Sequence, residues 1–411
     1  MIVAATLAAL PILFAKSGTL RAYMFQRLNK VGQNQRAWNF GGTLHADVTL
    51  KSRPFTIGAT YAFADPLGTN GPDPQHNAAL DNTLPGFSYS SLSELYAQYR
   101  TWSDFAQIGK MSIDTPFANP ADKRMIPITF QGAQVRHYFG GGWNVGLMQI
   151  ARFKSRTSST FDANNLLTQV RTRGFTLLEL SHGSRFLNVT ADQYWFADIA
   201  SLSYLTAQMR LGEDSNLTAQ AVIEDQAGRA LAGAIHNHTY GLQYATRRGS
   251  IDMSLGFDYA PAVSFITTNP ATIFRPLGAP APVAVGGGRF SVLGGGIASP
   301  YTDSLTSDPL FTTSLAASQS DKRSAGTSYK FALSGSLNSG HVPWAFSQAH
   351  FDYGAVGTTD ETDADVTLNL GRIDPTKLYT GLSLRQRWGY RVTNTAPLRF
   401  LYSRTQLQYT F

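Results

Sequence analysis

The sequence predicts an all-β fold, a transmembrane antiparallel up-and-down β-barrel of about 18 strands with long external loops. Three observations carry that reading. Apolar and polar residues alternate with period two in stretches of about 8 to 12 residues, near the 9 to 11 that a tilted strand needs to cross a bilayer. Charged residues make up 15% of the chain against 43% hydrophobic and 12% aromatic, where globular chains carry about one quarter. Ser, Thr, Gly, Asn, Gln and aromatics take the vacated places, a composition that suits strands. Short connections alternate with long ones, the asymmetry of turns on one membrane face and loops on the other.

The one long apolar run is Met1 to Ala15, MIVAATLAALPILFA. It is shorter than the roughly 20 residues of a spanning helix. It reads as the apolar part of a secretory signal over residues 1–17, cleaved near Ala15, from a written start set too far downstream, since the first basic residue is Lys16 and such signals open on positive charge. A buried N-terminal helix is the alternative. Residues 18–411 form one barrel domain, with no repeat and no shift of composition.

From there the alternation is explicit. Thr19 to Arg27 sets Arg21 and Arg27 against Leu20, Ala22 and Met24. Leu205, Ala207, Met209 and Leu211 oppose Tyr204, Thr206, Gln208 and Arg210, and Ile251 to Tyr259 carries Ile, Met, Leu, Phe and Tyr on one face and Asp, Ser, Gly and Asp on the other. Leu217 to Glu224, Thr327 to Ser334 and Asp363 to Leu370 repeat the split. Aromatics close the apolar faces at Tyr61 and Phe63, Phe257 and Tyr259, and Phe351 and Tyr353, as interfacial girdles do. Gly140 to Gly142 and Arg247 to Gly249 read as short turns, Ala64 to Ser90 and Pro261 to Asp321 as long loops. A linker in the Pro- and Gly-rich stretch 261–309 would leave two sheets with bare edges, so this stretch reads as a loop folded in. The chain ends Leu407-Gln408-Tyr409-Thr410-Phe411, which resembles the assembly signal of outer-membrane barrels and implies the barrel-assembly machinery as a partner.

The formal charge of +7 permits nucleic-acid binding by itself, but its placement argues against it. Thr380 to Tyr390 sets Leu382, Leu384, Gln386, Trp388 and Tyr390 on one face and Ser383, Arg385, Arg387, Gly389 and Arg391 on the other. The last strand places Tyr402, Arg404, Gln406 and Gln408 on its polar face. Closure makes first and last strands neighbours, so Arg21, Arg27, Arg385, Arg387 and Arg404 gather on one sector of the wall, with Lys330 as a further member. An Arg at mid-membrane on the lipid face costs about 2 to 4 kcal/mol, so the row faces the lumen. There it either attracts anions with bidentate contacts to carboxylates or pairs with lumenal acids such as Glu94, Glu179, Asp252, Asp258 and Asp365.

Several ordered motifs carry a family resemblance: Leu20-Arg21-Ala22-Tyr23, Glu94-Leu95-Tyr96-Ala97-Gln98-Tyr99, Ile108-Gly109-Lys110-Met111, and Asp114 through Pro127 (DTPFANPADKRMIP). Lys154 to Ser158, Ser299-Pro300-Tyr301-Thr302-Asp303, Asp308-Pro309-Leu310 and Leu384-Arg385-Gln386-Arg387 complete the set. From about residue 18 to the C-terminus the chain resembles the OprD family of outer-membrane porins. The resemblance implies an 18-stranded barrel whose third external loop, here Asp114 to Thr129, folds inward with Lys123 and Arg124 at the eyelet. It implies a basic ladder that includes Arg21, Arg27, Arg385, Arg387 and Arg404, faced by Tyr301, Asp303 and Asp308 of the seventh loop. Asp303 and Asp308 equally suit local turns. The implied function is passive, substrate-preferring uptake of small anionic or zwitterionic solutes, such as carboxylates, amino acids and small peptides, by a monomer or a trimer in outer-membrane lipid.

No enzyme is expected. Without Cys there is no thiol catalysis or Cys-ligated zinc, and the eight His accompany no Gly-x-Ser-x-Gly elbow, His-Glu-x-x-His or phosphate loop. His236 and His238 are spaced for a metal, but Asn237 between them and a turn-like context favour plain surface exposure; no cofactor, metal or nucleic acid is predicted. The alternative class is a surface barrel hydrolase or adhesin with a plugged lumen.

Overall fold

In a computed structural model, residues 16–411 are described except 31–33, 51–52, 69–77, 81–83, 85, 121–124, 167–169, 234, 269–280, 295–298, 303–306, 321–323, 339, 371–380 and 395–398. The signal expected over residues 1–17 thus lies almost wholly outside the described residues. The wall strands are β1 (Ser17–Asn29), β2 (Asn34–Thr49), β3 (Phe55–Pro66), β4 (Tyr89–Arg100), β5 (Asp104–Met111) and β6 (Thr129–Tyr138). They continue as β7 (Trp143–Lys154), β8 (Phe175–Gly183), β9 (Leu187–Phe196), β10 (Ala200–Arg210), β11 (Ser215–Gln226) and β12 (His236–Arg248). The remaining six are β13 (Ile251–Ala260), β14 (Gly326–Leu337), β15 (Val342–Asp352), β16 (Thr358–Asn369), β17 (Leu382–Thr393) and β18 (Arg399–Thr410).

One sheet holds 19 strands, of which Ala78–Leu80 is a short parallel addition to the start of β2. The other 18 pair antiparallel with their chain neighbours, and β18 returns to β1 with Thr19 opposite Thr410 and Asn29 opposite Phe400. Closure satisfies the backbone hydrogen bonds that hydrocarbon cannot, which is why an alternating chain of this kind becomes a barrel rather than an open sheet.

Period-two patterning sets each face. On β13, Ile251, Leu255, Phe257 and Tyr259 are exposed on the outer surface while Gly256 and Asp258 are buried inside. The same holds for Leu205 and Met209 against Tyr204 on β10. Turns on one side are tight. Between β12 and β13 the connection is Gly249-Ser250, with Gly249 at φ +58°, the left-handed backbone that such a hairpin demands. On the other side run the loops 67–88, 112–128, 155–174, 227–235 and 261–325, so the last long loop ends at β14 rather than at Asp321.

One girdle assignment is corrected. Phe351 (0% exposed) and Tyr353 (1%) lie inside, not at the lipid boundary. They stack at 6.0 Å and 6°, and the Tyr353 hydroxyl donates to the Ser318 carbonyl at 2.8 Å. An inward segment of the long loop covers them, which gives an inner position the dry environment that an aromatic normally finds in lipid.

The loop 261–325 divides in two. Ser264–Thr267, Val283–Gly286 and Arg289–Leu293 form a separate three-stranded sheet whose Phe265 meets His236 at the barrel rim. Residues 299–302 and 307–320 instead lie in the lumen, bonded to Phe117, Asn119, Asp258, Glu361 and Asp363.

Candidate functional site: the pore lining

The wall made by β17, β18 and β1 carries the cationic column. Register places Arg387 directly opposite Arg404, and Arg404 opposite Phe25; Arg385 faces Gln406, Arg21 faces Gln408 and Arg27 faces Tyr402. Followed from the turn side upward, the rungs are Arg21, Arg385, Arg387 with Arg404, Arg27, and finally Arg391 at the level of Phe400. One guanidinium therefore recurs every two residues, about 7 Å along the strands.

Like charges side by side repel, and the wall supplies the compensation. Arg385 is held by Asp365 at 2.9 Å, with Arg387 Nε 4.0 Å from the same carboxylate. Arg21 donates to Gln408 Oε1 from Nε and from the guanidinium end, at 3.1 and 2.9 Å. Rings do the rest: Arg27 lies 3.9 Å over Phe400, and Arg404 lies 5.0 Å over Tyr402 and 5.9 Å over Phe25. The middle rung is thereby enclosed, with Arg387 6% and Arg404 5% exposed, whereas the Arg385 side chain keeps 41% of its surface open to the lumen.

Beside this column runs a row that was not singled out in the sequence as a unit. Glu361, Asp363 and Asp365 alternate along the inner face of β16, next to Arg391, Gly389 and Arg387 of β17. The signal was present, but Asp360 sits on the opposite face, so counting acids in Asp360-Glu361-Thr362-Asp363-Ala364-Asp365 does not reveal which three point inward; parity against Trp388 and Tyr390 does. Gly389 matters here because a Cβ at that position would lie 2.3 Å from the Tyr402 ring and 2.9 Å from Asp363 Oδ1.

Two loops narrow the lumen. The segment 112–120 reaches the far wall, where Phe117 packs edge-on against Tyr194 at 5.7 Å and Tyr204 at 5.6 Å. The Phe117 carbonyl accepts from Ser299 Oγ at 2.7 Å and Thr302 Oγ1 at 3.0 Å, and Asn119 donates to the Ser307 carbonyl at 3.0 Å, so the two loops are tied to each other. Lys154, buried at the top of β7, donates to the Pro127 carbonyl at 3.3 Å and holds the loop's return.

Residues 312–316 of the longer loop form a strap. Asp258 accepts from Thr312 N at 2.8 Å, Asp363 from Leu315 N at 3.2 Å and Glu361 from Ala316 N at 2.7 Å. Lys330 donates to the Thr313 carbonyl and Arg391 to the Ala316 carbonyl. Acidic and basic side chains from β13, β14, β16 and β17 thus fix neighbouring backbone groups of the strap, and Leu315 and Ala316 reach the cluster of Tyr23, Phe25, Met125, Phe400 and Tyr402.

The eleven residues selected from the sequence fall into three groups. Arg21, Arg27, Arg385, Arg387 and Arg404 are brought together as expected. Lys123, Arg124 and Asp303 lie outside the described residues. Of the other three, Lys330 and Tyr301 stand elsewhere than expected, and Asp308 takes the turn role rather than the pore-lining one. Lys330 faces inward, but β15 and β16 separate it from the arginine row, and it holds the strap. Tyr301 is 1% exposed, packed among Phe153, Phe175 and Phe196 on the far wall with its hydroxyl 2.7 Å from that of Thr172. It therefore supports the loop and does not line the open lumen, and burial pushes its phenol up to about 12. Asp308 closes a local turn, accepting from Ser320 at 2.8 Å, Leu310 N at 3.2 Å, Ser318 and Thr313. Its carboxyl is raised by burial against those lowering hydrogen bonds.

Of the acids weighed as partners for the arginine row, Asp365 alone joins it. Glu179 pairs with Arg136 at 3.0 Å, Asp252 with Arg247 at 2.6 Å, and Glu94 accepts from Thr60 and from Ser112 N. His236 lies against His238 and Asp225, and among the described residues no group of three His, Asp or Glu is placed to hold a metal. Below each inward loop lies open space. A cavity of about 660 Å³ under the strap is lined by Lys330, Asp363, Asp365, Arg247 and Asp252 among others, and one of about 390 Å³ under 112–128 by Glu94, Gln98, Gln134 and Arg136 among others.

Comparison with known proteins agrees with this architecture. Residues 78–261 match the family model of the outer membrane porin, OprD family. No curated protein matches. Solved structures from Pseudomonas aeruginosa share the fold. OccK9 (OpdG) superposes with a TM-score of 0.74 at 16% identity over 96% of this chain and 97% of its own. OccK2 (OpdF) in complex with glucuronate gives 0.73 and OpdK with vanillate 0.72, each at 16% identity over 96% of this chain and 97% of theirs. The closed barrel with its inward loops thus has the fold of these porins, and residues 78–261 carry the match to the model of the outer membrane porin, OprD family.

Proposed function

We propose that the channel passes small anionic or zwitterionic solutes, such as carboxylates, amino acids and small peptides, passively and with preference, without catalysis or cofactor. The observation that carries this is the rung-by-rung column from Arg21 to Arg391, beside the acidic row Glu361, Asp363 and Asp365. A carboxylate is drawn along a column whose rungs recur about every 7 Å of strand, meeting the open Arg385 directly and the enclosed Arg387 and Arg404 through their field, attracted but not retained. An amine on the same solute finds Asp365 on the adjoining strand, so the wall itself orients a zwitterion. Glucuronate and vanillate in the two similar channels are carboxylates, which supports this solute class. The strand β18, whose Phe411 exchanges hydrogen bonds with Gly18 at 3.0 and 3.1 Å, supports reading the C-terminus as the assembly signal.

The test is single-channel recording of refolded protein in a planar bilayer under a salt gradient, then with added carboxylates. Wild type is expected to conduct with anion preference and to be transiently blocked by a carboxylate. Arg385→Glu is expected to move the reversal potential toward cation preference and shorten the blocks. A folded barrel that never conducts defeats the reading and returns the choice to a plugged surface barrel with a hydrolase or adhesin role, and unchanged selectivity in the variant defeats the column.

A further inference from the structure

At the loop-side rim, above β8 to β11, Arg171, Thr172, Arg173, Asp198 and Arg229 line an open cavity of about 540 Å³. The three arginines are exposed. Arg229 is fixed in place, its guanidinium 3.0 Å from Asp198 Oδ2 and its backbone N–H donating to Asp198 Oδ1 at 3.3 Å. Asp198 adopts φ +62°, and the neighbouring Gly228 leaves no room for a Cβ, which would come 2.7 Å from the Asp198 carboxylate. Among the described residues Arg171 and Arg173 form no ion pair within 4 Å, Arg173 feeling Asp198 only at longer range, so two exposed guanidiniums line the cavity beside a third that is held rigid.

The site does not open into the pore. Thr172, between Arg171 and Arg173, is buried with its hydroxyl on Tyr301, and Phe175, Phe196, Ile199 and Tyr301 fill the inner side at this level. Its height is set by Trp195, an exposed outward aromatic opposite Thr176 and Ser201 near the top of the lipid-facing surface. Asp198 is three residues further along the chain. Residues 197–199 are the turn of the β9–β10 hairpin, whose last pair is Phe196 with Ala200, so Asp198 at its tip stands just above the strand end and Trp195, level with the headgroup layer that flanks the hydrocarbon.

We propose that Arg171, Arg173 and Arg229 form a phosphate site filled by a phosphorylated glycolipid of the outer leaflet. Guanidinium forks match phosphate oxygens bidentately, and a basic pocket at headgroup height recognises anionic lipid by that chemistry. The site is separate from the solute path, so it is tested without reference to conduction.

The experiment measures heat unfolding of the folded barrel in phosphatidylcholine vesicles doped with lipid A, with lipid A stripped of its phosphates, or undoped but with glucose 1-phosphate in solution. Lipid A is expected to raise the unfolding midpoint of the wild type, and the stripped lipid is not. The rise is expected to vanish in the Arg171→Gln, Arg173→Gln double variant, whose conductance in phosphatidylcholine stays at the wild-type value. An equal rise in the double variant, an equal rise with the stripped lipid, or no rise in the wild type overturns the site. A rise with glucose 1-phosphate alone matching that with lipid A assigns the cavity to soluble phosphates and overturns the lipid source.

Discussion

Two walls of the same barrel, built on the same alternation, do opposite things with their inward side chains. On β17, β18 and β1 the inner positions are mostly arginines, glutamines and tyrosines, arranged as a column with some surface open to the lumen. On β7 to β10 they include Phe153, Phe175, Leu177, Tyr194, Phe196, Leu202 and Tyr204, sealed in a continuous apolar cluster. The difference is what covers them. Phe117 from one loop and Tyr301 from the other insert into the aromatic wall and make its interior dry. The loops reach the cationic wall mainly through the strap and Met125, whose contacts gather around Tyr23, Phe25, Phe400 and Tyr402. One wall is the dock that holds the constriction, and the other is the track along which charge is presented.

Breaking the dock should have the largest effect. Phe117→Ala removes the ring between Tyr194 and Tyr204, and truncating a buried Phe costs about 3 to 5 kcal/mol. The loss is expected to fall on loop docking rather than on the barrel. Single-channel conductance should rise with noisier open levels while the barrel's heat-unfolding midpoint moves little. An unchanged conductance would show that the loop is held by its hydrogen bonds to Ser299, Thr302 and Ser307 instead.

Loosening the strap tests the link between the walls. Glu361→Gln with Asp363→Asn alters the two hydrogen bonds that Leu315 N and Ala316 N donate to these carboxyls, bonds of a kind worth about 0.5 to 1.5 kcal/mol each. It also removes acidic groups beside the column. Open-channel current fluctuations should increase and the reversal potential should shift toward stronger anion preference. A shift in selectivity with no change in noise would mean that the strap is held without these acids.

The smallest change sharpens the track. Gly389→Ala forces the Tyr402 ring away from β17, an overpacking expected to cost about 1 kcal/mol, and displaces the ring that lies over Arg404. A modest fall in the unfolding midpoint, with a small change in carboxylate block and no change in the noise of the open level, is the expected result. A large rise in noise would show that Tyr402 also positions the strap.

Much of this was legible in the sequence because period two is a local property. Alternation at Thr19 to Arg27 and Thr380 to Tyr390 fixes which side each arginine takes, and closure then puts the first and last strands together, so five arginines far apart in the chain were predicted as neighbours and are. What alternation cannot reveal is whether an inner position is wet. Phe351 and Tyr353 read as a lipid-boundary pair because aromatics usually end there, yet they lie under an inward loop. Tyr301 reads as pore lining through the family resemblance, yet it is anchored in the aromatic wall, and of the two roles open to Asp308 the structure selects the local turn. Glu361 and Asp363 were missed because their role depends on backbone N–H groups of residues about 45 positions away.

The sequence by itself therefore determined the barrel, its strand count, its lipid-facing side and the sector that carries the arginines, since each follows from the spacing of neighbours along a strand and from the rule that a sheet in lipid must close. Tertiary structure alone decided which arginine surfaces stay open, which acids join them and how the loops cross the lumen. Those outcomes rest on contacts between a loop and a distant wall, and a loop's path is set by the surface it finds to bury rather than by any period of its own.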